Sequence, residues 1–518
     1  MSRAFLTAQL AVAALVCLPA LDVSGQLVSS PNPMLGGNPQ HSGFSPFPGP
    51  LEEPTILWEA APGLRDAVFS VPAVFGEEGN LYVDYGNFPG GQSPEEQFYV
   101  SYSPEGQERW RFKVPIPSGK RGRGVGAVTS DGNIVVPFRD GVRSFVRTSG
   151  SDFVLNWEIP IGYYHSSPAV DREGFIYTGG TSFVGFLKLR PDTGAIEWEF
   201  PVLTWGKASS PALSNDESTV YISRSFEESG LYALRTADGE LKWSFHPAPF
   251  TDASLAWASP TVGVDGTIYQ REGSTGILYA LTDNDDGFIL QWEFDPKRPG
   301  EVSQVSRHVA VYDDTIYMTT SGPDPILFAL DLDGNERWRY DVSGGGALTS
   351  TPLITEDAVY FGAQAAQTVH CVDRLSGELL WKKELGGDGL EFVPVALSDD
   401  RVLYVGTSGT FSHPDQAVLV ALAVRHFRRG DSNSDGTVDL SDPIFTIAHL
   451  FQGGESPLCQ RTADADDDGR LDLTDAIFLL TFLFQATEAP AAPGVKDCGP
   501  DGTPDELLTC KSYPLCTQ

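Results

Sequence analysis

Eight tryptophans, Trp58, Trp110, Trp157, Trp198, Trp243, Trp292, Trp338 and Trp381, follow one another at gaps of 41 to 52 residues. That period leaves few options. Each unit is one supersecondary motif too small to bury its own apolar face, so the units must stack as a propeller or a solenoid. Five of the tryptophans end the same turn, Gly-x-x-x-Trp, beginning at Gly106, Gly194, Gly239, Gly334 and Gly377. Glycine supplies the positive φ of a hairpin turn, and strand alternation then sends the tryptophan to one face of the next strand.

A second strand recurs before these turns, as Leu231-Tyr-Ala-Leu234, Leu278-Tyr-Ala-Leu281, Leu327-Phe-Ala-Leu330, Val369-His-Cys-Val372 and Leu419-Val-Ala-Leu422. Its third place is small, so Cys371, standing where the sister repeats have Ala233, Ala280, Ala329 and Ala421, is expected to be a buried free thiol. A third element opens each unit: Ser167-Pro168, Ser210-Pro211, Ser259-Pro260, Thr351-Pro352 and Val393-Pro394, with looser copies at Val71-Pro72, Gly126-Ala127 and His308-Val309. These make eight starts. The last reaches Leu422 with no tryptophan strand of its own, whereas Trp58 precedes the first. Pairing the Trp58 strand with the final unit would close a ring and remove both sheet edges. The fold class expected is all-β, an eight-bladed β-propeller.

Cys371-Val-Asp-Arg-Leu-Ser-Gly377-Glu-Leu-Leu-Trp381 is close to the Ala-x-Asp-x-x-Thr-Gly-x-x-x-Trp unit. Over residues 38–424, including the lead-in Gly37-Asn-Pro-Gln-His-Ser-Gly43, the chain resembles propellers of pyrroloquinoline-quinone-type repeats. The resemblance implies one of two branches. Quinone-dependent dehydrogenases carry pyrroloquinoline quinone, a catalytic aspartate, a calcium ion and in many members adjacent cysteines; non-catalytic relatives include an outer-membrane assembly lipoprotein that binds protein partners. This sequence has neither a Cys-Cys pair nor a Cys-x-x-Cys-His, and the non-catalytic branch is expected. No catalytic residue is assigned: His41, His165 and His308 lack a partner constellation, Lys120-Arg-Gly-Arg123 reads as a solvated loop, and Asp283-Asn-Asp-Asp-Gly287 reads as an elongated turn.

The composition changes after Arg425. Two twelve-residue segments, Asp431–Asp442 and Asp464–Asp475, place oxygen ligands at positions 1, 3, 5, 9 and 12 and glycine at position 6, the spacing of a calcium loop. The first offers Asp431, Asn433, Asp435, the Thr437 carbonyl, Asp439 and Asp442. The second offers Asp464, Asp466, Asp468, the Arg470 carbonyl, Asp472 and Asp475. Two calcium ions are therefore expected. Each loop runs into an apolar helix, with Ser441 and Thr474 as expected N-caps. Loop-then-helix, duplicated and closed by aspartate, resembles the dockerin type I module over residues 431–485. That resemblance implies a cohesin-like protein partner; Cys459 between the two halves and the cysteine-containing tail depart from the dockerin pattern, and a variant module clasped by a disulfide from Cys459 to the tail is expected.

Met1-Ser-Arg3 and the apolar run Ala4–Leu21 read as a signal peptide over residues 1–25, and the Val16 position makes Leu15-Val-Cys17 a poor lipoprotein box. The expected location is secreted, extracellular or cell-surface, with the periplasm as the alternative. A net charge of −34 from 69 acidic and 35 basic residues argues against nucleic acid and anionic membrane as partners. No later stretch is long enough to span a bilayer. Cys459, Cys498, Cys510 and Cys516 crowd the region after the propeller, and in an exported chain they predict disulfides whose three pairings the sequence leaves open. The domain expectation is a propeller at 38–424, a linker at 425–430, a calcium module at 431–485 and a cysteine-containing tail at 486–518. The functional expectation is an exported binding propeller tethered by a calcium-dependent docking module. The alternative is an extracellular enzyme, either a quinone-dependent oxidoreductase or a polysaccharide-degrading protein, carrying the same module.

Overall fold

The computed structural model describes residues 32–516 except 61–66, 70–73, 77–78, 88–96, 115–124, 139–140, 148–152, 161–165, 180–184, 202–208, 225–228, 248–257, 274, 297–303, 306–308, 322–324, 343–350, 364–367, 386–394, 408–417, 486–487, 500–509, 511–512 and 514–515. The signal-peptide reading, His165, His308 and Lys120–Arg123 lie outside the described residues.

Eight antiparallel sheets form the propeller, six of four strands and two in which the inner strand is split. The eighth blade takes three strands from the end of the repeat region and its outer strand from Thr55–Ala60, which pairs antiparallel with Leu419–Ala423 so that Trp58 stands opposite Ala421. The ring closes as the tryptophan count requires. The same cross-strand pairing recurs as Ala233 with Trp243, Ala280 with Trp292, Ala329 with Trp338 and Cys371 with Trp381. A small residue is needed there because the indole occupies the space across the ladder. Cys371 is buried and free, with burial pushing its thiol up to about 12.

Most of the indoles also fasten their blade to the next. The Nε1–H groups of Trp58, Trp157, Trp198, Trp292 and Trp338 donate to carbonyls of Pro104, Pro191, Thr236, Leu332 and Arg374 at 2.7 to 3.2 Å. The turn glycines lie against the same rings. A Cβ on Gly377, whose φ is +73°, would sit 2.5 Å from the Trp338 ring, so glycine is required there by contact as well as by backbone conformation. In the fifth blade the elongated turn is found, and the Asp283 carboxylate replaces the carbonyl. It accepts from Trp243 Nε1 (3.0 Å), Tyr221 OH (3.0 Å) and Lys242 Nζ (2.8 Å).

The Ser-Pro elements open the short inner strands, where proline, having no N–H, can stand at a sheet edge. The serine hydroxyls link neighbouring blades. Ser167 Oγ accepts the Val125 N–H, Ser210 Oγ accepts the Ser167 N–H, and Ser259 Oγ accepts the Ser210 N–H, at 2.8 to 3.1 Å.

Residues 32–45 form a strap across the inner strands. Carbonyls of Asn32, Pro33, Pro39, Gln40, Ser42 and Gly43 accept N–H bonds from Phe75, Val128, Leu213, Val262, Val311 and Ile354, which belong to blades 1, 2, 4, 5, 6 and 7 in that order. Met34, Leu35 and His41 are buried. His41 Nδ1 lies 3.1 Å from the Pro260 carbonyl, and desolvation lowers its pKa to about 4. The strap thus joins the inner strands of six blades, and Gly49-Pro50 lies further along the same segment. The Pro50 carbonyl caps Trp381 at 2.8 Å, the role turn carbonyls play elsewhere.

Candidate metal centre

Beyond the propeller lie α1 (Ser441–Gln452), the short α2 (Gln460–Ala463) and α3 (Leu473–Gln485). Each of the long helices follows one aspartate-rich loop, and α1 packs against α3. The two loops repeat one hydrogen-bond plan. At position 1, Asp431 accepts the N–H groups of Asp435 (3.1 Å) and Gly436 (2.9 Å), while Asp464 accepts those of Asp468 and Gly469, both at 3.2 Å. At position 12, Asp442 accepts from Asn433 (3.3 Å) and Asp439 (2.9 Å), and Asp475 from Ala465 and Asp472, both at 2.8 Å. Asp435 and Asp468 accept from Thr437 and Arg470, each at 2.9 Å. Gly436 and Gly469 have φ of +94° and +79°, which lets the chain fold back over the first carboxylate.

These bonds stay within each loop and join position 1 to position 5, position 5 to position 7 and position 12 to position 9. The first and last carboxylates of both loops are buried. Burial, with like charge adding to it, raises Asp442 to about 6 and Asp475 to about 8; burial also raises Asp464, against the attraction of Arg429. In the second loop carboxylate oxygens of Asp464, Asp466 and Asp468 lie within 4.8 Å of one another, and the buried Asp466 Oδ1 has no hydrogen-bond partner. An all-oxygen donor set with an orphaned buried carboxylate oxygen fits a hard divalent cation, which would supply the positive charge these groups lack.

Two expectations are corrected by these contacts. Ser441 and Thr474 are not N-caps: they lie inside the first turn, and the capping acceptors are Asp439 and Asp472, which take the Ser441 and Thr474 N–H groups at 2.7 Å. Ser441 Oγ instead accepts from Asn433 Nδ2 at 2.8 Å. Residues 425–430, read as a linker from composition, contribute buried side chains to the module. Phe427 and Arg429 are buried, and Arg429 reaches the Asp464 carbonyl at 2.7 Å and Asp467 Oδ1 at 2.7 Å. The cysteines pair as Cys459–Cys510 and Cys498–Cys516, and Tyr513 OH donates to Asp431 Oδ2. Neither Arg429 nor Tyr513 belongs to the twelve-residue spacing, so the loop pattern could not reveal them.

The closed ring, the indole clamps and the period define the class: an eight-bladed propeller of quinoprotein-type repeats. The family described as outer membrane protein assembly factor BamB matches residues 97–281 and, overlapping, 187–418, and the chain belongs to that family. Protein Rv3035 of Mycobacterium tuberculosis is 31% identical over 167 residues; the match covers 32% of this chain and 37% of that protein's length. Among solved structures, quinohemoprotein alcohol dehydrogenase from Comamonas testosteroni aligns at TM-score 0.56 and 11% identity, covering 79% of this chain and 84% of that one. A europium-containing methanol dehydrogenase aligns at 0.58 and 12%, covering 77% and 99%. BamB from Moraxella catarrhalis aligns at 0.50 and 14%, covering 71% and 99%. At these identities the likeness is one of fold. Among the described residues, no helix is long and apolar enough to cross a membrane.

Proposed function

We propose that this chain is an exported, non-catalytic binding propeller, tethered to an extracellular or cell-surface assembly by a calcium-folded, dockerin-like module. In this reading residues 1–25 direct export, 38–424 form the binding body, and the module at 431–485, with its disulfide-bonded tail at 486–518, holds two calcium ions and engages a cohesin-like protein. One observation carries the docking half. Apolar side chains at equivalent positions of the two loop-helix units are exposed in pairs: Leu440 and Leu473 (46% and 44%), Ile444 and Ile477 (56% and 53%), Phe451 and Phe484 (64% and 70%). Matched apolar exposure on a duplicated unit fits a protein-binding surface.

The non-catalytic half is supported by the family match and by the work already assigned to the described buried acid–base groups. Asp171 accepts from Tyr177 OH and two backbone N–H groups, Asp283 caps Trp243, His41 meets the strap's neighbour Pro260, and His370 lies between Tyr340 OH and Thr368 Oγ1. The test has two arms. Full-length protein passed over an immobilised cohesin domain should bind with calcium, and lose binding with chelator or in an Ile444→Asp/Ile477→Asp variant; calcium-independent binding or none would defeat the cohesin-like partner. Added pyrroloquinoline quinone should yield no stoichiometric complex and no alcohol- or sugar-dependent dye reduction, and turnover would move the chain to the enzyme branch.

A further inference from the structure

Resting on the calcium reading of the two loops, we infer that the disulfide-bonded tail is part of the first metal site alone, with Tyr513 as the residue that positions its leading ligand. The two loops are near copies inside, yet their position-1 carboxylates are held from outside by different groups. Asp431 Oδ2 accepts the Tyr513 hydroxyl in addition to the Gly436 N–H. Asp464 Oδ2, its counterpart, accepts the Gly469 N–H and faces the Arg429 guanidinium at 3.8 Å.

The chemistry of the two supports differs. A phenol is neutral: it fixes the carboxylate's orientation and leaves its full charge for a cation. A guanidinium fixes and partly neutralises. Groups of this kind, one bond removed from the ion, set ligand orientation and commonly change metal affinity by about 10- to 100-fold.

Tyr513 is held in place by covalent structure. It lies three residues from Cys510, bonded to Cys459, and three from Cys516, bonded to Cys498. It is buried beside Phe427 and Cys459 in one small cluster. Opening the disulfides would free the segment that carries the hydroxyl while leaving every ligand of both loops in the chain. The first site therefore becomes redox-sensitive, and the second does not.

The test uses full-length protein, calcium titration by calorimetry, and terbium luminescence as a second readout. Tyr513 is the only tyrosine or tryptophan after Tyr404, so it is the near donor for terbium in the first loop. Wild type should take up two ions. Tyr513→Phe should weaken one site about 10- to 100-fold, leave the other unchanged and abolish the sensitised terbium emission. Cys498→Ser/Cys516→Ser, or mild reduction of wild type, should reproduce the loss at one site; helical circular dichroism at saturating calcium confirms that the module still folds. Two sites that both stay within about twofold of wild type in Tyr513→Phe, or that weaken alike, would overturn the inference. A wild-type protein that takes up no calcium would overturn the calcium reading itself, a result distinct from either.

Discussion

The propeller and the C-terminal module bury opposite kinds of matter. Inside the blades are indoles, tyrosines and aliphatic side chains in a continuous set of clusters, with Tyr177, Tyr221, Tyr269, Tyr317, Tyr360 and Tyr404 packed near the tryptophans. Inside the module the fully buried groups include Asp431, Asp442, Asp464, Asp475 and Arg429, beside a small apolar set of Phe427, Cys459, Ala463, Ala465, Ala476, Leu479 and Tyr513. An apolar interior is stabilised by burial itself. Of the four buried carboxylates only Asp464 lies beside the Arg429 guanidinium; desolvation and like charge oppose ionisation of Asp442 and Asp475, and a divalent cation would relieve both. The first region should fold on its own terms and the second on those of its ligand.

The largest expected effect tests that division. Chelation should abolish the helical signal of residues 441–485 while the propeller's melting transition stays in place. The spectra separate cleanly, because all ten tryptophans lie at or before Trp381 and report only on the propeller. A tryptophan transition that moves with chelator, or a module that keeps its circular dichroism without calcium, would break the comparison.

Next in size is the indole clamp. Trp243→Ala removes a buried ring and leaves the Asp283 carboxylate without one of its three side-chain donors. Denaturant unfolding should show a loss of about 3–5 kcal/mol in the propeller, with calcium uptake by the module unaltered. The clamp also shows how legibility was divided. The tryptophan period announced the repeat, and the eight opening elements, with Trp58 standing ahead of the first and none in the last, carried blade number and ring closure, because elements at fixed places in every unit are a repeated signal. The strap at 32–45 was invisible to the same reasoning, since it touches six blades through backbone carbonyls and needs no repeated side chain. The candidate ligand positions stand out in the sequence for the first reason: six positions and a glycine recur in register. Arg429 and Tyr513 act on those loops from outside the register, one beside the spacing and one far beyond it.

Acidity should drive the two regions in opposite directions. Burial lowers His41 and His370 to about 4, below the ordinary histidine value, so their contribution is full above about pH 6.5 and is lost as pH falls from there towards 4. For the fully buried His41 the loss is roughly 3 kcal/mol. Asp442 and Asp475, raised to about 6 and 8, behave conversely in chelated protein: their contribution is full below about pH 4 and is lost as pH rises through 6 to 8. With chelator, the propeller's melting transition should be lower at pH 5 than at pH 8, and any helical signal the module recovers without calcium should appear at pH 5 and not at pH 8. Calcium should reverse the module's trend, because it requires the ionised carboxylates.

The smallest effect concerns cysteine, which the two regions use for unrelated ends. Cys371 stands opposite Trp381, in the place alanine takes opposite Trp243, Trp292, Trp338 and Trp58, and its sulfur lies 3.8 Å from the Pro50 carbonyl, with Tyr360 its partner on the other neighbouring strand. Cys371→Ala should therefore cost less than about 1 kcal/mol, since the site is already built for a methyl group and the thiol's bond is weak. With its pKa pushed up to about 12 and no exposed surface, the thiol should resist labelling in native protein and react only on unfolding. Cys371→Leu, by contrast, should destabilise by about 1–3 kcal/mol, because the added carbons meet the indole across the ladder. Rapid labelling of native protein, or a large loss in Cys371→Ala, would show that the thiol does more than fill the slot. It would then align the propeller's cysteine with the module's four, where each sulfur is committed to a bond.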